Sequence, residues 1–247
     1  MNRLVAKLVL SFAALCAAPA YSAVESLAPH TAEYRIKISV LSGTMRTVVD
    51  QTAAGFSATS VITPNGMAKL LVNGVIEERS EFEENDEGVR PLAYSSNDTL
   101  SKEDKSMNFS FDWDRLEIAG TINDEDFVFK LDGEAHDRVS IQYELMHDLL
   151  NGREARDYAI VDGEELKELT VTNIGTQRVK VPFGEFDAIG IQHQARNSSR
   201  ISTLWCVREL GYLPVLIEQH RRGKLRLRAE LTDYVPADER GSVRASQ

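Results

Sequence analysis

The groups in this 247-residue chain that could do chemistry are five histidines, two cysteines and two clusters of carboxylates. His30, His136, His147, His193 and His220 show none of the short intervals that place two ligands on one metal, and HExxH and CxxC patterns are absent. There is likewise no GxSxG nucleophile turn and no glycine-rich phosphate loop. Asp112-Trp113-Asp114-Arg115 and Asp124-Glu125-Asp126 offer the paired carboxylates that acid/base catalysis or calcium would use. Apolar parity shifts from odd to even positions across Asp114-Arg115, as a turn would cause, and acidic turn residues commonly cap backbone N–H groups. No catalytic residue, metal or cofactor is therefore expected.

The remaining candidates are apolar. Aromatic residues make up only 7% of the chain, yet Phe109, Phe111 and Trp113 fall on one face of one strand. If the sheet that holds them curls, they and Trp205 with Val207 would line its concave side, where an acyl chain or similar group could be buried at about 0.8 kcal/mol per methylene. The competing reading is that these residues make a packed core. A second segment, Pro64 to Gly74, carries Met67, Leu70 and Leu71 between glycines. It reads as a short helical turn over about 67–72, either a lid over a sheet opening or a core-filling turn.

Those side chains must be positioned by strands, because period-two alternation dominates. Tyr34, Ile36, Ile38 and Val40 alternate with polar residues, as do Phe56 to Ile62 and Met107 to Trp113. Further strands are expected at Ile118 to Ile122, Phe127 to Leu131, Glu168 to Thr172, Gln177 to Val181, Phe186 to Ala195, Ile201 to Val207, Leu213 to Gln219 and Lys224 to Tyr234. Ten or more short strands at hairpin spacing predict one large antiparallel sheet that curls or closes into a barrel. In the last hairpin a three-residue loop, Arg221-Arg222-Gly223, would set Ile217 opposite Leu227 and Glu218 opposite Arg226, keeping apolar residues on one side. The basic run would then be one solvated face made of Arg222, Lys224, Arg226 and Arg228. One helix is expected over about 138–150, capped by Asp137 and ended by Asn151-Gly152. Val139, Tyr143, Leu145, Met146, Leu149 and Leu150 fall within an arc of about 160° and would lie on the sheet.

Residues 1–22 read as a secretory signal: Arg3 and Lys7, an apolar run from Leu8 to Ala18, and small residues at the cleavage site. The bulky Leu15 before Cys16 argues against a lipoprotein. Cleavage removes two positive charges, taking the formal charge from -10 to -12, and leaves Cys206 alone, without a disulfide partner. Residues 23–234 then form a single β domain, with a polar tail at 235–247. An acidic chain is a poor nucleic-acid binder, because counterion release needs a cationic surface. The acidic run from Glu77 to Glu87 reads as a charged edge strand, or else as a docking surface.

The order of several short motifs resembles an exported bacterial family, domain-of-unknown-function family 3108. They are Ser80-Glu81-Phe82, Gly88-Val89-Arg90-Pro91-Leu92-Ala93-Tyr94, Phe111-Asp112-Trp113, Asp137-Arg138-Val139-Ser140, Val181-Pro182-Phe183-Gly184-Glu185-Phe186-Asp187-Ala188, Trp205 and Leu213-Pro214-Val215. The resemblance implies export and an antiparallel β fold, and it assigns no activity. A fainter architectural similarity runs to periplasmic lipoprotein-carrier half-barrels. The expectation is a periplasmic, non-enzymatic protein that binds or carries a hydrophobic or amphipathic envelope ligand, with no nucleic-acid partner and no transmembrane anchor once the signal is removed. The alternative is a structural or assembly factor of the envelope that meets a protein partner through its charged strands. A hydrolytic enzyme ranks third.

Overall fold

In a computed structural model, which describes residues 25–38 and 41–237, fourteen strands form one antiparallel sheet. The signal segment 1–22 and the end of the tail, 238–247, lie outside the described residues. In chain order the elements are β1 (His30–Ile38), β2 (Leu41–Thr52), β3 (Gly55–Pro64), α1 (Ala68–Leu71), β4 (Ile76–Asn85), β5 (Gly88–Asp98), β6 (Lys105–Asp112), β7 (Glu117–Ile122) and β8 (Glu125–Lys130). They continue with α2 (Ser140–Leu150), β9 (Tyr158–Asp162), β10 (Glu165–Val181), β11 (Gly184–Ala195), β12 (Arg200–Val207), β13 (Leu213–Arg221) and β14 (Lys224–Pro236). Neighbours in sequence are neighbours in space except β8 and β9, which form the two edges, and β1 pairs with β14, so the spatial order runs from β8 through β1 and β14 to β9. The sheet curves without closing. Its curl brings the β10–β11 turn onto β14, where the Phe183 N–H donates to the Leu231 carbonyl at 3.1 Å.

α2 is where the structure departs furthest from an amphipathic helix with a wet side. Glu144, His147 and Asp148 are as buried as its apolar residues. On one side Tyr143 stacks on Phe82 of β4 with ring centroids 5.1 Å apart. On another, Ile141 and Leu145 pack with Tyr158, Leu169, Val171, Ile191 and Leu204 from β9 to β12. Strands from both halves of the sheet therefore surround the helix. The expected Asp137 cap is present: its Oδ1 accepts from the N–H groups of Val139 and Ser140 at 2.7 and 2.8 Å.

The acidic strand corrects the expectation of an edge. β4 lies between β3 and β5, and the edges are β8 and β9. Glu77, Arg79, Glu81 and Glu83 face outward and are exposed, while Glu78, Ser80, Phe82 and Glu84 share the inner face toward α2. Ser80 donates to Asp137 at 2.6 Å, Glu78 pairs with Arg138 at 3.0 Å, and Glu84 bonds His147 Nδ1 at 2.9 Å. The run is acidic because one face meets water and the other fastens a helix.

The last hairpin is also corrected. Arg222 and Gly223, with φ of 51° and 70°, form a two-residue turn between the paired Arg221 and Lys224. A bulge then leaves Arg226 unpaired, so Ile217 faces Ala229 and Glu218 faces Arg228. The bulge restores the apolar parity that a longer loop was invoked to keep. It also breaks up the expected cationic face, since Arg228 is drawn to Glu218 and Glu230.

Candidate functional site

The aromatic wall falls on one face as the alternation requires. Phe109 and Phe111 are 2% and 7% exposed. Phe109 meets Tyr94 at 5.1 Å, Phe111 at 5.5 Å and Phe127 at 6.1 Å, so protein fills the concave side there. Trp205 is buried in the same interior. Trp113, stacked on Phe111 at 5.3 Å, reaches the surface, where the Arg90 guanidinium lies 5.0 Å from its ring and its Nε1–H donates to the Pro91 carbonyl at 2.7 Å. It lines a cleft of about 330 Å³ with Pro91, His136 and Glu144.

That cleft has the convergent, perturbed groups an active site would use. Burial pushes the Glu144 carboxyl up, against the pull of the Val89 N–H and Arg156. Burial also pushes His136 down to about 3, with Arg156 adding to the effect. Both Glu144 oxygens are already engaged, however: Oε2 accepts from the Val89 N–H and Oε1 from Arg156, each at 2.6 Å. Gly88 permits this approach, because a Cβ there would sit 2.6 Å from Oε2. The group reads as the fastening of a buried helix rather than as acid/base machinery. Among the described residues no three His, Cys, Asp or Glu side chains gather to hold a metal. Cys206 is buried, and burial pushes its thiol up to about 12, far from a reactive thiolate.

Among the described residues the two most exposed large apolar side chains lie at α1; Leu116, Val128, Leu166 and Ile174 are exposed singly elsewhere on the sheet. Met67 and Leu70 are 72% and 77% exposed, while Ala68 inserts at 3%. The side chain of Leu71 lies outside the described part. α1 joins β3 to β4 at the end of the sheet where Gly43 pairs with Pro64, Ile38 with both Leu41 and Leu227, and Arg221 with Lys224. Antiparallel pairing thus gathers α1, the paired Ile38 and Leu41, and the β11–β12 and β13–β14 turns on one rim. From β14 to β3 is three strand spacings, about 14 Å. Ile38 and Leu225 are also exposed there, among the exposed cations Lys37, Lys69, Arg200, Arg221, Arg222, Lys224 and Arg226. The segments 65–75, 197–200 and 221–226 contain no acidic residue, in a chain with ten more acids than bases.

Sequence reasoning named Met67 and Leu70 but missed their setting. Arg200 lies 21 positions before Arg221 and gave no local signal; only the pairing of β12 with β13 brings the two together. The buried polar groups of α2 were missed because a helix pattern shows which residues are polar and not what surrounds them.

Among solved structures, the fold is similar to a β-barrel-like protein of domain-of-unknown-function family DUF1849 from Brucella abortus, with a TM-score of 0.57, 13% identity and coverage of 87% of this chain and 100% of that one. A protein described as exported, with a YmcC-like fold, from Bacteroides fragilis aligns with a TM-score of 0.33 and 11% identity over 85% of this chain and 96% of that one. Comparison with curated proteins gives no match. The sequence pattern of one family spans residues 31–226, most of the described sheet, and the chain belongs to that family, the proteins of unknown function DUF3108.

Proposed function

We propose that this chain is an exported, non-catalytic binding protein of the bacterial envelope that takes an amphipathic, anionic ligand at the α1 rim. The filled sheet then acts as a scaffold rather than as a container. The observation that carries this reading is the exposure of Met67 and Leu70 on either side of the inserted Ala68. Isolated exposed apolar residues are ordinary, but one at the start of a short helix and one on it, with Ile38 and Leu225 on the same rim and cations between them, match the amphipathic pattern of lipid-facing surfaces. Export is supported by the basic, apolar and small-residue order of residues 1–22.

Flotation with phosphatidylglycerol vesicles tests the reading. Protein lacking residues 1–22 is expected to float with them at low salt and to float less with phosphatidylcholine. Met67→Ser/Leu70→Ser should weaken partitioning roughly 100-fold, since two largely exposed side chains would otherwise leave water on binding. No flotation of the unsubstituted protein, or equal flotation of the variant, overturns the proposal. Salt-sensitive capture of an envelope protein without flotation would favour the alternative of an assembly factor.

A further inference from the structure

Three cations stand side by side across three strands at the tip of the β13–β14 hairpin. Arg200 of β12 is directly opposite Arg221 of β13, and Arg221 is directly opposite Lys224 of β14. Directly opposed residues in an antiparallel pair have Cβ atoms about 5 Å apart, and like charges placed there destabilise the sheet. Arg222 of the turn and Arg226 of the bulge close on the same place, so that Arg200, Gln219, Arg221, Arg222 and Arg226 line one open concavity of about 510 Å³. Other arginines near these strands are paired: Arg35 of β1 with Glu230, Arg228 of β14 with Glu218, and Arg196 of the β11–β12 turn with Glu168. Among the described residues no carboxylate pairs with the five cations at the tip. The tip is also tied down: the Arg222 N–H donates to the Ser199 carbonyl and the Arg200 N–H to Ser198 Oγ, each at 3.1 Å. The repulsion is thus built into the pairing of the strands and is not the accident of a loose tail.

We propose that this concavity binds a phosphate-bearing anion, either the headgroup of a lipid or a free oligophosphate. The inference rests on reading this rim as the ligand-bearing surface, and it names the chemistry of the ligand's polar end. Guanidinium groups supply planar pairs of N–H donors that match phosphate oxygens, and an anion among four of them offsets their mutual repulsion. Long nucleic acids do not fit the same description, because the rest of the chain is acidic and the cations occupy one small concavity.

Titration calorimetry with pyrophosphate at low salt is the test, on the unsubstituted protein, on Arg200→Gln/Arg221→Gln and on a control. The control is Arg178→Gln, which removes an exposed cation paired with Glu185 and Asp187 on another hairpin. Pyrophosphate is expected to bind the unsubstituted protein and the control alike, and the double variant about 10-fold more weakly or worse. Without anion, Arg221→Gln should melt about 1–3 °C higher through relief of like-charge opposition, and pyrophosphate should raise the melting point of the unsubstituted protein and of the control more than that of the double variant. Absence of binding, or equal affinity in the double variant, overturns the proposal. Displacement of phosphatidylglycerol vesicles by pyrophosphate would assign the phosphate to a lipid headgroup; pyrophosphate binding without vesicle binding would assign it to a free oligophosphate. If pyrophosphate does not bind while flotation still requires Met67 and Leu70, the anion site falls and the reading of the rim survives. If pyrophosphate binds and Met67→Ser/Leu70→Ser floats normally, the apolar reading falls and the anion site stands.

Discussion

His136 offers a quantitative prediction because the fold keeps it neutral. The ring is 3% exposed and its Nδ1 has no hydrogen-bond partner, while burial and the nearby Arg156 push its pKa from 6.5 to about 3. Between those values the unfolded chain binds a proton that the folded chain does not, so stability falls as pH falls through that window. Integrating a shift from 6.5 to about 3 gives a loss of about 2 kcal/mol between about pH 7.5 and about pH 5. Asp137 and Glu144, whose carboxyls burial raises, contribute in the opposite direction, as groups whose protonated form the fold favours. Half-buried His193, pushed down to about 4, adds to the acid loss. All three remain in His136→Leu, so subtracting the two proteins isolates one imidazole. Urea denaturation at the two pH values should show the unsubstituted protein losing about 2 kcal/mol more than His136→Leu. Parallel losses in both proteins would refute the claim that His136 is held neutral by its surroundings.

The same structure sets three further outcomes. Phe109→Ala should cost about 3–5 kcal/mol by chemical denaturation, as expected where rings on several sides leave a hole that cannot collapse, and vesicle flotation should be unchanged. Glu84→Ala removes the partner of the fully buried His147 and of the Leu27 N–H, so it should cost about 2–3 kcal/mol and increase hydrogen exchange at both ends of α2; a neutral result would show that the fastening of the helix is overstated. Arg222→Asn places a residue suited to positive φ in the hairpin turn, and should raise stability by about 0.5–1 kcal/mol in thermal melts while weakening pyrophosphate binding.

What the sequence revealed and what it hid follow from the range of the interactions. The alternation of Phe109, Phe111 and Trp113 is local, and so is the Asp137 cap; both stand as read. The β4 segment alternates just as clearly, but its outer residues are charged in the way an edge strand's would be. Only its non-local neighbours β3 and β5 show that Glu78 and Glu84 face a helix. β5 opens Gly88-Val89-Arg90-Pro91, which shows no period-two alternation to mark a strand, and it is its pairing with β4 that makes it one. In the final hairpin both the turn and the bulge were invisible, because each shifts the register by one and together they preserve the apolar face. The rim was legible only in pieces. Met67 and Leu70 were singled out in one segment and the basic run in another, and their meeting depends on the closure of β14 onto β1.

The central claim is that ligand is met at the rim and not inside the sheet. Hydrogen–deuterium exchange with and without phosphatidylglycerol vesicles tests this most directly, since it reports where the backbone becomes protected. The account predicts slowed exchange confined to residues 65–75, 197–200 and 221–226, with β6, β7 and α2 unchanged. Protection of Phe109, Phe111 and the α2 backbone, with none at α1 or the β13–β14 turn, would contradict it.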